Sequence, residues 1–216
     1  MTLRVQFLPI NLNAGEYLSD QIERVRQYLN EYRSIFIHAN PSVGKTRCLS
    51  RISEQVKASG NKSVFAAPFK SLMLQAEKDF GKWDLFCYHD DPKYSKRSLP
   101  VIQDGELNIV STFQQVANII EELSEDDILI IDEAHYLVEL AHDTNVIATR
   151  RKLLDAKCKV VFLSGTPYRN DLKRLGVNAC IMVSETSSSK STIHYIEASS
   201  VFSYFPIAFV KFVSDF

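Results

Sequence analysis

The stretch Ser34-Ile-Phe-Ile-His-Ala-Asn-Pro-Ser-Val-Gly-Lys-Thr46 carries an apolar run straight into a loop that ends Gly-Lys-Thr. Ala39, Asn40, Pro41, Ser42, Val43, Gly44, Lys45 and Thr46 fit the pattern Gly-x-x-x-x-Gly-Lys-Ser/Thr, with Ala replacing the first Gly. Such a loop turns its backbone N–H groups toward phosphate. Lys45 would then face the β and γ oxygens, and the Thr46 hydroxyl would ligate Mg²⁺ at the start of the next helix. Gly44 is expected to matter for shape, because a side chain there would obstruct the approach of backbone to phosphate.

A second stretch, Ile128-Leu-Ile-Ile-Asp-Glu-Ala-His135, ends an apolar run in paired carboxylates. Two acids at the end of a buried strand point to one place. Asp132 can hold the Mg²⁺ shell and Glu133 can polarise water for attack on a γ-phosphate. The two stretches together predict a site for a nucleoside triphosphate and Mg²⁺, with Glu133, Lys45 and Asp132 as catalytic groups and Thr46 and Asp132 as metal ligands. His135 follows the acids at once and is assigned to the same nucleotide site.

The remaining composition bounds this reading. The 216 residues suffice for one well-buried domain with material to spare, or for one domain and the start of another. Hydrophobic residues make up 45% and charged residues 24%, as in an ordinary globular chain rather than a disordered or fibrous one. The formal net charge of -1 offers no basic excess, so any nucleic-acid surface must be local. Lys93, Lys96 and Arg97 form one basic cluster, and Arg150, Arg151 and Lys152 another. Cys48, Cys87, Cys158 and Cys180 are widely spaced, which suggests neither a zinc site nor a disulfide framework and fits reduced thiols of a cytoplasmic protein. The N-terminus lacks the pattern of a secretion signal. Val201 to Val213 is shorter than the roughly 20 residues that cross a bilayer and contains Pro206 and Lys211, so no membrane partner is expected.

Five apolar, β-branched runs alternate with helical patterns: Ile35 to His38, Val64 to Ala67, Asn108 to Val110, Ile128 to Ile131 and Val160 to Leu163. This pattern predicts an α/β fold, a mostly parallel sheet covered by helices on both faces. The segments that follow the runs should converge on one sheet edge, since open α/β sheets bind ligands beyond the carboxyl ends of their strands. Helices are expected over Lys45 to Ala58, Ser71 to Phe80 and Thr112 to Leu123. Asp84 to Gly105 reads as an irregular insertion bearing the first basic cluster. Ser184-Glu-Thr-Ser-Ser-Ser-Lys-Ser-Thr192 reads as a linker. The expected organisation is therefore a domain over 1–183, a linker over 184–192, and over 193–216 the start of a second lobe or an extension. No internal repeat supplies a second lobe, so the chain reads as incomplete.

In order and wording these motifs resemble helicase superfamily two, the DEAH-type ATP-driven helicases and translocases, over about Tyr17 to Asn170. Ala39 to Thr46 looks like the first helicase motif. Pro68, Lys70, Leu72 and Gln75 resemble the segment that touches the nucleic-acid backbone, and Ser111-Thr112-Phe113 the next backbone-contacting segment. Asp132-Glu-Ala-His135 is similar to the DEAH box and Ser164-Gly-Thr-Pro167 to the Ser-Ala-Thr motif, with Gly165 closer to restriction-type and phage or plasmid replication helicases. The resemblance implies the first RecA-like lobe of a P-loop motor, with Pro68, Lys70, Ser111 and Thr112 on nucleic acid. It also implies that Ser164 and Thr166 couple nucleotide state to nucleic-acid grip, and makes Gln21, after Tyr17, the candidate adenine-reading glutamine. The family implies DNA ahead of RNA as partner, and a second RecA-like lobe, in cis or in trans, that carries arginine fingers. Alternative readings stay open: a nucleotide-switched scaffold or loader that does not move on nucleic acid, and a P-loop kinase, which leaves Ser164-Gly-Thr-Pro167 unexplained.

Overall fold

A computed structural model describes residues 5–87, 102–140, 142–165 and 169–185. The cluster Lys93, Lys96 and Arg97, the expected coupling residue Thr166, and 186–216 lie outside the described residues.

Eight strands form a single sheet: β1 (Gln6–Leu12), β2 (Ser34–His38), β3 (Ser63–Ala67), β4 (Leu85–Cys87), β5 (Asn108–Thr112), β6 (Ile128–Ile131), β7 (Lys159–Ser164) and β8 (Ala179–Glu185). Their order is β1-β8-β2-β7-β6-β3-β5-β4, and every neighbouring pair is parallel. Parallel neighbours require crossover connections, and the helices supply them. These are α1 (Ile22–Glu31), α2 (Lys45–Ala58), α3 (Lys70–Phe80), α4 (Phe113–Ile119), α5 (Tyr136–Glu139), α6 (Thr144–Leu154) and α7 (Arg169–Arg174).

The unbroken apolar runs follow from burial on both faces. Along β2, Ile35 and Ile37 pack into a core with Val25 and Leu29 of α1, Leu49 and Ile52 of α2 and Met73 of α3. Phe36 between them turns to the opposite core, shared with Val116 of α4, Val146 and Leu153 of α6 and Leu172 of α7. Ile128 and Ile130 against Leu129 and Ile131 repeat the division in β6, and Val161 and Leu163 against Val160 and Phe162 repeat it in β7. A residue period of two thus sorts one apolar run into two cores.

The five expected strands are five consecutive neighbours, β2-β7-β6-β3-β5. The structure adds three more. β1 is an edge strand in which Ile10 and Leu12 are buried and Pro9 is exposed, a weak apolar signal. β4 lies at the start of the segment read as an irregular insertion: Leu85 to Cys87 pair with β5, and the Asp84 carboxylate accepts from the Leu107 and Asn108 N–H groups at 3.0 and 2.8 Å. β8 extends to Ser184 and Glu185, which pair with Asn11 and Leu12, so the expected linker does not begin before 186.

The basic cluster Arg150 to Lys152 falls late in α6, which returns the chain to the amino end of β7. Lys152 Nζ donates to the Ala117 carbonyl at 2.7 Å and pairs with Glu121 at 3.0 Å. The cluster thus lies near the amino end of β7, whereas the motifs follow the carboxyl ends of the strands.

Candidate functional site

Between β2 and α2 the chain makes the loop 39–44. Two residues take left-handed backbone conformations, Ser42 with φ 69° and Gly44 with φ 84°. A non-glycine residue held there is strained, and such strain concentrates where a loop shapes a ligand site. Gly44 caps α2, its carbonyl accepting from the Cys48 N–H at 2.9 Å. A Cβ at Gly44 would also meet the side chain of Tyr17, 3.2 Å from its Cβ. Its φ and the segment packed against the loop both favour glycine there.

That segment is the turn Leu18–Gln21. The Leu18 N–H donates to the Val43 carbonyl at 2.8 Å, and Arg51 of α2 donates to the Ser19 carbonyl at 3.3 Å. Gln21, half-buried, donates its side-chain amide to Glu16. The proposed adenine reader therefore sits on an element bonded directly to the phosphate-type loop.

Inside the loop, Lys45 Nζ donates to the carbonyls of Ala39 and Asn40 at 2.6 and 2.8 Å. Burial pushes the Lys45 pKa down, and the Asp132 and Glu133 carboxylates oppose that shift. Thr46, one residue on, is exposed on the first turn of α2.

Asp132 follows β6 immediately, its N–H donating to the Ala66 carbonyl of β3 at 2.8 Å. Burial first, and then the adjacent Glu133 carboxylate, push the Asp132 pKa up to about 6. The Glu133 N–H, donated to Asp132 Oδ1 at 3.0 Å, opposes this together with Lys45 and His135. Glu133 itself has φ 49°, a second non-glycine left-handed residue at the same edge. The Ala134 N–H then ties the segment to the Leu163 carbonyl of β7 at 2.8 Å.

His135 closes the cluster. Its Nδ1 lies 3.1 Å from Ser164 Oγ, at the end of β7, and 3.3 Å from Glu133 Oε2. Ser164 is buried and exposed Gly165 follows it. With the proton on Nδ1, the imidazole bridges the hydroxyl and the carboxylate.

The nucleic-acid candidates divide. Lys70 is exposed at the first position of α3, whereas Pro68 is buried. Ser111 is fully buried and donates its hydroxyl to the Thr112 carbonyl at 2.9 Å, so this geometry does not bring Ser111 to the surface. Thr112 Oγ1 is buried without a hydrogen-bond partner among the described residues.

Sequence reasoning passed over three residues here. His38 ends β2 under the loop. Its pKa is pushed down by burial, with Lys45 acting in the same direction and a backbone hydrogen bond at Ser164 opposing. Phe69 and Tyr136 meet edge to face beside His135. An aromatic after Pro68 and another directly after His135 were the only available signal.

The family described as "Type III restriction enzyme, res subunit" matches residues 14–169. No curated protein matches the chain. Among solved structures, the Sulfolobus solfataricus SWI2/SNF2 ATPase core in complex with dsDNA superposes with TM-score 0.56 at 17% identity, over 82% of this chain and 38% of that one. A DEAD box protein from the hyperthermophile Methanococcus jannaschii gives 0.54 at 19% identity, over 77% and 49%. A leucine-to-valine variant of S. cerevisiae Dbp5 bound to RNA and ADP BeF3 gives 0.53 at 17%, over 75% and 45%. The chain thus spans less than half the length of each, and at these identities the likeness shows the fold, a RecA-like lobe. The match over 14–169 establishes that the chain belongs to the type III restriction enzyme res subunit family, of helicase superfamily two, and the shared architecture gives it the fold of a RecA-like lobe.

Proposed function

We propose that this chain is the ATP-binding motor lobe of an ATP-dependent helicase or translocase, acting on DNA ahead of RNA. The observation that supports it best is the convergence of Lys45, Asp132, Glu133, His135 and Ser164 at the ends of three adjacent strands, β2, β7 and β6. The residues fit ATP with Mg²⁺: a cation that feels the charge of two acids, an exposed threonine at a helix start, and a buried carboxyl that a cationic partner would help to ionise. When bound, Mg²⁺ would neutralise phosphate charge. Thr46 and Asp132 would hold it, Lys45 would exchange the Ala39 and Asn40 carbonyls for phosphate oxygens, and Gln21 would face adenine.

Glu133 is the base in this reading, accepting the proton of the attacking water, and His135 orients its carboxylate while linking it to Ser164. Coupling to nucleic acid then runs through β7, with Thr166 as the further coupling residue. Lys70 and Thr112 contact the backbone of the strand. A second RecA-like lobe, in cis or in trans beyond the expected linker, supplies the arginine fingers. The four buried cysteine thiols support a reducing compartment, the cytoplasm.

The deciding experiment measures ATP hydrolysis with and without nucleic acid, using the chain alone and joined to its second lobe. The chain alone should turn over slowly, since a finger is worth roughly 10³ to 10⁵ in turnover. Addition of the second lobe should raise the rate and make it respond to nucleic acid. Hydrolysis that ignores nucleic acid in the two-lobe protein would favour the nucleotide-switched scaffold. Strand separation by residues 1–216 alone would overturn the one-lobe reading.

A further inference from the structure

Phe69 stands 48% exposed where the chain leaves β3, between buried Pro68 and exposed Lys70. One side of its environment is fixed: the ring meets Tyr136 with centroids 5.3 Å apart and planes at 74°. Tyr136 in turn packs on His135 at 4.4 Å, and His135 Nδ1 reaches Glu133. Two residues before Phe69, Ala67 pairs in register with Thr112 at the ends of β3 and β5. Thr112 is 9% exposed, and its hydroxyl has no hydrogen-bond partner among the described residues. A buried hydroxyl without a partner calls for a polar group brought by something else. An exposed aromatic ring held from one side, with a cation next in the chain and an orphaned hydroxyl at the neighbouring strand end, is the set of groups with which proteins take an unpaired strand. The ring stacks a base while the polar groups meet the phosphates.

We propose that Phe69 is a stacking platform for one base of an unpaired nucleic-acid strand whose phosphates run past Lys70 and Thr112. The proposal rests on the motor-lobe reading and adds a contact with a base to contacts with the backbone. A paired duplex offers no free base face to this ring, so the platform selects single-stranded over double-stranded substrate. It also places the occupying base two rings away from the residue bonded to Glu133.

The test measures binding of the whole chain to an oligothymidylate, an oligouridylate, an abasic strand of equal length and a blunt duplex, by fluorescence anisotropy over a range of salt. Phe69→Ala should weaken binding of the two pyrimidine strands about tenfold while leaving the salt slope unchanged, because stacking is lost and phosphate contacts are kept. The abasic strand and the duplex should bind wild type and Phe69→Ala alike. Phe69→Trp should retain affinity, and its emission, taken as the difference from wild type with its single buried Trp83, should be quenched on binding. A larger effect on uridylate or on thymidylate assigns the strand as RNA or DNA. Equal affinity of wild type and Phe69→Ala for the pyrimidine strands overturns the platform alone. Failure of wild type to bind any strand, with nucleotide binding intact, overturns the platform and the motor-lobe reading together.

Discussion

His135 and Ser164 are 29 residues apart in sequence, yet Nδ1 of the first lies 3.1 Å from Oγ of the second. The contact spans the ends of adjacent parallel strands, β6 and β7, whose register pairs Ile131 with Phe162. Glu133 Oε2 is 3.3 Å from the same nitrogen, so a hydroxyl on β7 and the carboxylate proposed to activate water share one imidazole. Ser164→Ala should retain ATP affinity and lower kcat by roughly tenfold, the effect of about 1.4 kcal/mol in one hydrogen bond. Steady-state kinetics in which KM changes and kcat does not would assign Ser164 to binding instead.

Lys45→Ala should leave the fold intact, because the side chain is half-buried over loop carbonyls and belongs to neither core. Calorimetry should show ATP–Mg²⁺ affinity reduced by about 10- to 100-fold, as expected for hydrogen bonds to a charged group. Unchanged affinity would remove Lys45 from the phosphate site.

Replacement of Glu133 by Gln keeps the shape of the side chain and removes its capacity to take a proton. Nucleotide should still bind, while hydrolysis in the two-lobe protein falls by about 100-fold or more. A wild-type rate from Glu133→Gln would require another base.

The raised pKa of Asp132, about 6, has consequences of opposite sign for the free protein and for the loaded site. In the folded chain the carboxyl holds its proton to higher pH than in the unfolded chain. Its contribution to stability is therefore fully present below its unfolded value and is lost as pH rises through about 6. Metal binding needs the carboxylate, so Mg²⁺-dependent ATP affinity should fall about tenfold per pH unit below the pKa. Thermal melts and calorimetry between acid and neutral pH separate the two trends, and the shift should be absent from Asp132→Asn.

Gly44→Ala places a Cβ at φ 84° and 3.2 Å from Tyr17 Cβ. The left-handed conformation alone costs about 1–2 kcal/mol in an alanine, which in a chain of this size corresponds to a fall in Tm of about 2–8 °C. Pairing the change with Tyr17→Gly, which removes that Cβ, should recover the steric part and leave the conformational part. An unaltered melt would show that the loop accommodates the side chain.

Local chemistry carried much of the result. The loop 39–46, the acids at 132 and 133, and the five apolar runs were legible because each depends on neighbouring residues: a phosphate loop needs glycine beside lysine, and a doubly covered strand needs an unbroken apolar run. The bounds of α2 match the expected helix, and α3 begins one residue before its expected start. β1 was hidden because an edge strand buries few residues, and β4 because three residues carry too little pattern. β8, Ala179–Glu185, has an apolar run as plain as the others, but no polar motif after it drew attention to it.

The tertiary structure decided what depended on pairing order. That β7 lies between β2 and β6 brings Ser164 to His135, and that β3 lies beside β6 brings Phe69 to Tyr136. The same packing withdrew Ser111 and Pro68 into the interior and set Tyr17 against Gly44. By itself the sequence determined the candidates for binding phosphate and moving a proton, because those capacities belong to side chains and their immediate neighbours. Which of them touch, and how far burial moves a carboxyl such as Asp132, was decided by contacts between residues distant in the chain, since desolvation and hydrogen bonding depend on what surrounds a group in space.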